Sequence, residues 1–214
     1  MPPAIRRTAS AAPDGPSAAV RRVAVLVESS HAVGRGILAG VRRAGRTAGW
    51  SLEIETDRLG GMPPPWFRRW KGDGVIVRLA SERAAEAIAR LGLPVVDVAG
   101  SVAGGPFRRV RFDDVAIGRM AATHLAEQGL RSIAFCGLTG VAWSGDRERG
   151  VVAAAGRLAL AEPLHLDPGL SRRIPPSTLL GRLAGWLASL PRPVGVVACD
   201  DFHAALVLDA CRLA

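Results

Sequence analysis

Short Val-rich runs recur along this chain, each followed by a longer amphipathic stretch, and that alternation limits the possible folds more than any other feature. Arg22 to Val27 reads as a buried strand because its side chains are apolar and mostly β-branched, while Val33 to Ala48 spaces its apolar residues as a helix does. Ser51 to Glu55 alternates apolar and polar residues, as a more exposed strand does. Gly74 to Val77 predicts a strand, Ser81 to Leu91 a helix, Pro94 to Val98 a strand and Arg109 to Phe112 a short strand. A helix over Asp114 to Gln128 stops at Gly129, the residue type that most readily takes the left-handed C-terminal cap. The pattern continues with strand Ser132 to Cys136, helix Arg147 to Leu160, a weak strand at Leu164 to Leu166, helix Ser177 to Leu190, strand Val194 to Cys199 and helix Phe202 to Leu213. Strand-helix-strand repeats require right-handed crossovers, which make the strands parallel and put helices on both faces of the sheet. The expected architecture is Rossmann-like α/β, and ligands of such sheets sit outside the carboxyl ends of the strands.

The residues just after the strands therefore matter most. Glu28, Ser29 and Ser30 follow the first strand, Asp113 and Asp114 the short one, and Asp200 and Asp201 the last. Asp and Ser are favoured helix N-caps, so each of them can simply start a helix. Capping needs one such residue per helix, however, and here they come in groups, which points to a polar ligand pocket. Asp200 ends the most apolar strand of the second half, so its carboxylate is expected to face the ligand while Asp201 caps the helix from Phe202.

Several function classes are excluded. Glu28 to Gly34 offers one Gly before the first helix, not the GxGxxG of a dinucleotide site. GxxxxGK[ST] and the GxSxG nucleophile elbow are absent, and His31, His124, His165 and His203 lack metal-ligand spacing. No cofactor, metal or catalytic residue is expected. Cys136, Cys199 and Cys211 are an odd set without CxxC, which excludes a disulfide scaffold. The formal charge of +9 comes almost entirely from Arg, since Lys71 is the sole lysine, and the Arg pairs are dispersed rather than stacked on one helix, so solvated surface explains them better than a DNA-binding face. The first 20 residues are rich in Ala, Pro and Ser without a continuous apolar segment, which reads as a flexible tail and not as a signal peptide. A cytoplasmic location is expected.

Val110 to Gly137 is similar to the pattern D-N-x-x-x-G-x-x-A-x-x-H-L-x-x-x-G-x-x-x-I-x-x-x-G of LacI/GalR-type regulators and their periplasmic-binding-protein relatives, with Asp113, Gly118, His124, Leu125, Gly129, Ile133 and Gly137 in place and Asp114 where Asn is usual. Arg147 to Val151 resembles that family's R-x-x-G-[FW], and Val196 to Asp201 its strand ending in paired acidic residues. Val25 to Val41, Trp66 to Ile76 and Phe135 to Arg147 resemble, more narrowly, the xylose operon regulators of the AraC/XylS family.

The resemblance implies a periplasmic-binding-protein-like type I fold: two Rossmann-like lobes with parallel sheets, at residues 21–130 and 131–214, after a disordered tail at 1–20. It implies that the second lobe is incomplete, with further strands and an AraC-type helix-turn-helix module lying outside this chain. It implies a non-catalytic sensor of xylose or a related monosaccharide that acts on operator DNA through that module, as a homodimer in the whole protein and away from membranes. A Rossmann-like enzyme and a stand-alone small-molecule-binding protein are the alternatives. Sugars need bidentate partners for vicinal hydroxyls and an apolar ring for their C–H faces. Arg35, Asp113, Trp143, Arg147 and Asp200 are the expected ligand residues, followed by Glu28, Ser30 and His31. Trp143, in an expected loop, could equally be core, and Arg147 could pair with Asp146 or Glu148 on the surface.

Overall fold

The computed structural model describes residues 20–56, 62–99, 101–102, 106–158, 160–161, 163–166 and 175–214. The expected tail lies outside these residues except for Val20. Two parallel sheets organise the chain. The first contains β1 (Arg22–Leu26), β2 (Ser51–Glu55), β3 (Gly74–Val77), β4 (Val95–Asp97) and β5 (Arg108–Arg109), in the order β2-β1-β3-β4-β5. The second contains β6 (Ile133–Cys136), β7 (Leu164–Leu166) and β8 (Gly195–Ala198), in the order β7-β6-β8.

Strand β1 shows why an apolar run is needed in the first sheet. It pairs with β2 on one side and β3 on the other and is buried on both faces. Val23, Val25 and Val27 pack with Leu38 of helix α1 (Ala32–Thr47). Ala24 and Leu26 face the opposite way, toward Ala84 and Ile88 of helix α2 (Glu82–Ala89). A five-residue 3-10 turn at Pro65–Arg69, not anticipated from the sequence, adds Phe67 to that second face, and Trp70 follows it into the core. The Arg22 guanidinium lies 4.9 Å from the Trp70 ring centroid.

The second sheet carries α3 (Asp114–Glu127), α4 (Ala142–Arg157), α5 (Pro176–Ser189) and α6 (Asp201–Cys211). Ile133, Phe135, Val197 and Cys199 pack with Ala122 of α3 and Val151 of α4. Ala134 and Cys136 pack with Leu183 of α5 and Val207 of α6. The expected division after Leu130 placed the helix that starts at Asp114 in the first lobe, but α3 lies along α4 and against β8 and so goes with the second sheet. Glycine is the reason. A Cβ at Gly118 would meet the Arg147 carbonyl oxygen at 1.8 Å, and one at Gly150 would meet that of Val115 at 2.1 Å, so only glycine lets the two backbones approach this closely. None of the four hydrophobic clusters among the described residues spans both sheets.

Candidate functional site

The expected ligand residues fall into two groups, one at the carboxyl end of each sheet. In the first group, Glu28 follows β1, and Ser30 donates its hydroxyl to the Glu28 carboxylate. Arg35, one turn into α1, donates through Nη1 to the carbonyls of Ser29 at 3.1 Å and Ser30 at 2.9 Å. It thereby braces the β1–α1 loop. His31 occupies the N-cap position of α1 in extended conformation without a side-chain capping bond, and its ring is exposed. Gly34 lets the helix start close to the strand, because a Cβ there would meet the Glu28 carbonyl oxygen at 1.8 Å.

In the second group, Arg147 ties three elements together. Its Nε donates to Asp114 at 2.9 Å, and Nη1 donates to the Cys199 carbonyl at the end of β8. The guanidinium carbon also lies 5.0 Å from the Trp143 ring centroid, a cation–π arrangement. The surface pairing considered from the sequence, with Asp146 or Glu148, does not occur. Asp146 instead pairs with Arg111 and Arg149, each at 2.6 Å, and Glu148 with His165 at 2.8 Å. Trp143 is not in a loop, since α4 begins at Ala142, and it is partly buried against the Phe135 cluster. It therefore serves the core while offering a face to Arg147.

Two aspartates take roles other than those expected. Asp200, not Asp201, is the N-cap of α6, accepting from the His203 backbone N–H at 2.9 Å. Asp201 is the first helical residue and is exposed. The cap requires extended backbone followed by a helical turn, and since β8 ends at Ala198 and Asp200 is extended with α6 starting at Asp201, that condition is met one residue earlier than the sequence suggested. Asp113 likewise caps α3 by accepting from the Ala116 N–H at 2.8 Å.

Asp200 also lies 2.6 Å from Nδ1 of the buried His203 ring. Burial acts to raise its pKa, but the hydrogen bonds from the His203 ring and backbone, with the charges of His203 and Arg147, outweigh this and hold the carboxyl below its ordinary value. Cys199 beside it goes the other way: burial, then the Asp200 charge, push its thiol up to about 12. Ser144, 1% exposed at the start of α4, hydrogen-bonds the Cys199 side chain and accepts from the Leu138 N–H at 2.8 Å.

Arg147, Cys199, Asp200 and Asp201 line a cavity of about 380 Å3 along β8, whose other walls are apolar residues of α3 and α6. A larger cavity of about 750 Å3 lies beside Arg21, Asp73, Pro94 and Arg108, at the amino ends of the first sheet's strands and so at the end away from the ligand side. Sequence reasoning raised Asp114 as one of the strand-end acids but left it out of the expected ligand residues, and it missed Cys199 and His203 nearby, and also Asp97. That aspartate is wholly buried at the end of β4, accepts from the Leu79 and Ala99 N–H groups, and lies 3.4 Å from Arg109.

With the geometry in view, the chain can be set beside known proteins. A periplasmic binding protein-like domain model matches residues 122–214. The solved structure of the xylose-binding transcription activator xylR superposes with a TM-score of 0.75 at 26% identity, covering 90% of this chain and 50% of that one. The fold is that of a periplasmic-binding-protein-like domain. The xylose operon regulatory protein of Escherichia coli K12 is 29% identical over 89% of this chain and 50% of its own length. That of Haemophilus influenzae is 30% identical over 65% of this chain and 38% of its own. The chain thus resembles xylose operon regulators along most of its length and spans about half the length of the curated relatives it matches. No helix among the described residues is long and apolar enough to cross a membrane.

Proposed function

We propose that this chain is the sugar-sensing part of a cytoplasmic transcriptional regulator, that it binds xylose or a related monosaccharide between the carboxyl ends of its two sheets, and that it has no catalytic role. The observation that carries the reading is the Arg147 cluster: an Arg fork held by Asp114 and the Cys199 carbonyl just after β8, set over Trp143, with Asp200 beside it on one cavity wall. Fixed donors, a carboxylate and an aromatic face are what a sugar's vicinal hydroxyls and C–H face require. In this reading Asp113, Trp143, Arg147 and Asp200 hold the ligand from the second sheet and the helices on it, and Glu28, Ser30, His31 and Arg35 meet it from the first. A ligand that touches both sheets favours the closed arrangement by its differential affinity for it. That change is passed to a DNA-reading module elsewhere in a homodimeric regulator, as the regulatory names of the relatives support. An enzyme on this fold would need an activated nucleophile, and a Cys199 thiol pushed up to about 12 stays protonated at neutral pH.

Calorimetric titration with D-xylose, other pentoses and hexoses tests this. One sugar class should bind saturably. Asp200→Asn, which keeps the cap but removes the charge, should weaken it about tenfold or more, the equivalent of roughly 1.5 kcal/mol. A folded chain that binds no monosaccharide, or an Asp200→Asn variant of unchanged affinity, would overturn the reading.

A further inference from the structure

We infer that Cys199, Asp200 and His203 form a site for one divalent transition-metal ion, with zinc the best match, on the wall of the second-sheet cavity. Each residue offers one donor atom, and these atoms lie within 4.8 Å of one another. Zinc bonds of about 2.0–2.3 Å in a tetrahedron separate the donors by roughly 3.3–3.8 Å, so small side-chain rotations bring the three into range. A thiolate, an imidazole and a carboxylate together suit zinc or cobalt, whereas calcium and magnesium take oxygen ligands. Cys199 and Asp200 also line the cavity, from which a water or a ligand would supply the fourth donor.

The surroundings fit an ion. His203 is 2% exposed, and its Nε2 is buried without a hydrogen-bond partner among the described residues. The ring is oriented by Asp200, which faces Nδ1, the atom that would ligate, at 2.6 Å. Charge also balances: Asp114 neutralises Arg147 at 2.9 Å, so the dication is matched by the Asp200 carboxylate and by the Cys199 thiolate that forms when the ion displaces the thiol proton. On binding at Nδ1, the ring proton moves to Nε2 and the Cys199 thiol proton goes to solvent. Asp200 has two oxygens, one to cap α6 and one for the ion. The site does not depend on sugar binding, although an ion there would occupy the same cavity.

Cobalt(II) titration of the metal-stripped, reduced 214-residue chain is the test. The expected result is one ion per chain, with a near-ultraviolet thiolate-to-cobalt charge-transfer band that zinc bleaches. Cys199→Ser should abolish the band and Cys211→Ser should leave it. His203→Gln should weaken cobalt binding at least about tenfold, and Asp200→Asn, which retains the cap, gives the same readout if the His203 variant does not fold. A folded chain without the band, or a band that survives Cys199→Ser or disappears with Cys211→Ser, would overturn the inference.

Discussion

Asp114 takes its charge into a position only 5% exposed, and Arg147 is what makes that tolerable. Removing one member of a buried pair leaves an uncompensated charge at a cost of roughly 3–5 kcal/mol, and since the Arg147 side chain is 20% exposed the lower end applies. Arg147→Ala should therefore lower urea-unfolding stability by about 3 kcal/mol. The double variant Asp114→Leu with Arg147→Met should recover most of that loss while remaining unable to bind sugar. If the single variant costs less than about 1 kcal/mol, as an exposed pair would, the buried pairing is wrong. Asp200 lends itself to a pH experiment. Its folded carboxyl titrates below the ordinary 3.8, so in acid the unfolded chain binds more protons than the folded one. Its contribution to stability is complete above that ordinary value and is lost as the pH falls through the lower folded one. Asp200→Asn should flatten the acid limb of the Tm against pH curve by lowering Tm at neutral pH, where the carboxylate's contribution is lost, while leaving Tm at the acid end nearly unchanged because Asn still caps α6. An acid limb identical to that of the parent chain would refute the assignment. Asp201→Ala, at an exposed first-turn position, should cost under about 1 kcal/mol.

Helices α3 and α4 are the pair of elements on which the second-sheet site depends. They touch at Gly118 and Gly150, and Asp114 and Arg147 each lie about one turn before those contacts, so the close crossing is what brings the two charges together across 33 residues of sequence. Gly118→Ala or Gly150→Ala should push the helices apart and cost about 1–3 kcal/mol by overpacking. Sugar affinity should fall with stability, because Arg147 moves with its helix. Gly156→Ala, where an added Cβ meets nothing, serves as the control and should leave both unchanged or slightly improved. Much at this scale was legible beforehand. The strands at Ser51–Glu55, Gly74–Val77 and Leu164–Leu166 have their expected bounds, because alternation and β-branched runs are local signals. Helix α4 begins five residues before its expected start at Arg147, since Val141 is an N-cap without a side-chain capping bond and a first turn containing Ser144 and Gly145 reads as loop. The 3-10 turn was missed for a similar reason: Pro65 and the aromatics after it carry no helical period. Of the candidate site, the strand-end aspartates could be read as either caps or ligands, but which one caps depends on the residue where the strand gives way to the helix. The Asp114–Arg147 pair and the His203 contact depend on tertiary packing, which one sequence does not display.

At the scale of the whole molecule, the first sheet keeps its core around Leu26, Val25 and Val77, the second around Phe135, Leu183 and Val151, and no cluster of the described residues joins them. Bodies that share little apolar contact unfold with little cooperativity between them. Without sugar, hydrogen exchange should therefore show two protection classes, one for each sheet, and a calorimetric scan should be broader than a single two-state transition. A ligand held by both sheets changes this, because it binds only when both are folded. At a concentration 100 times its dissociation constant it adds about 2.7 kcal/mol. For a domain of this size that corresponds to roughly 5–10 °C in Tm. The bridging reading further demands that both classes rise together. Arg147→Lys, which keeps the charge but loses the planar fork, should abolish the joint rise without merging or separating the classes in the sugar-free chain. If sugar protects the second sheet alone and leaves exchange at β1 and β3 unchanged, the ligand is held by one sheet, and the closure proposed for this sensor has no physical basis.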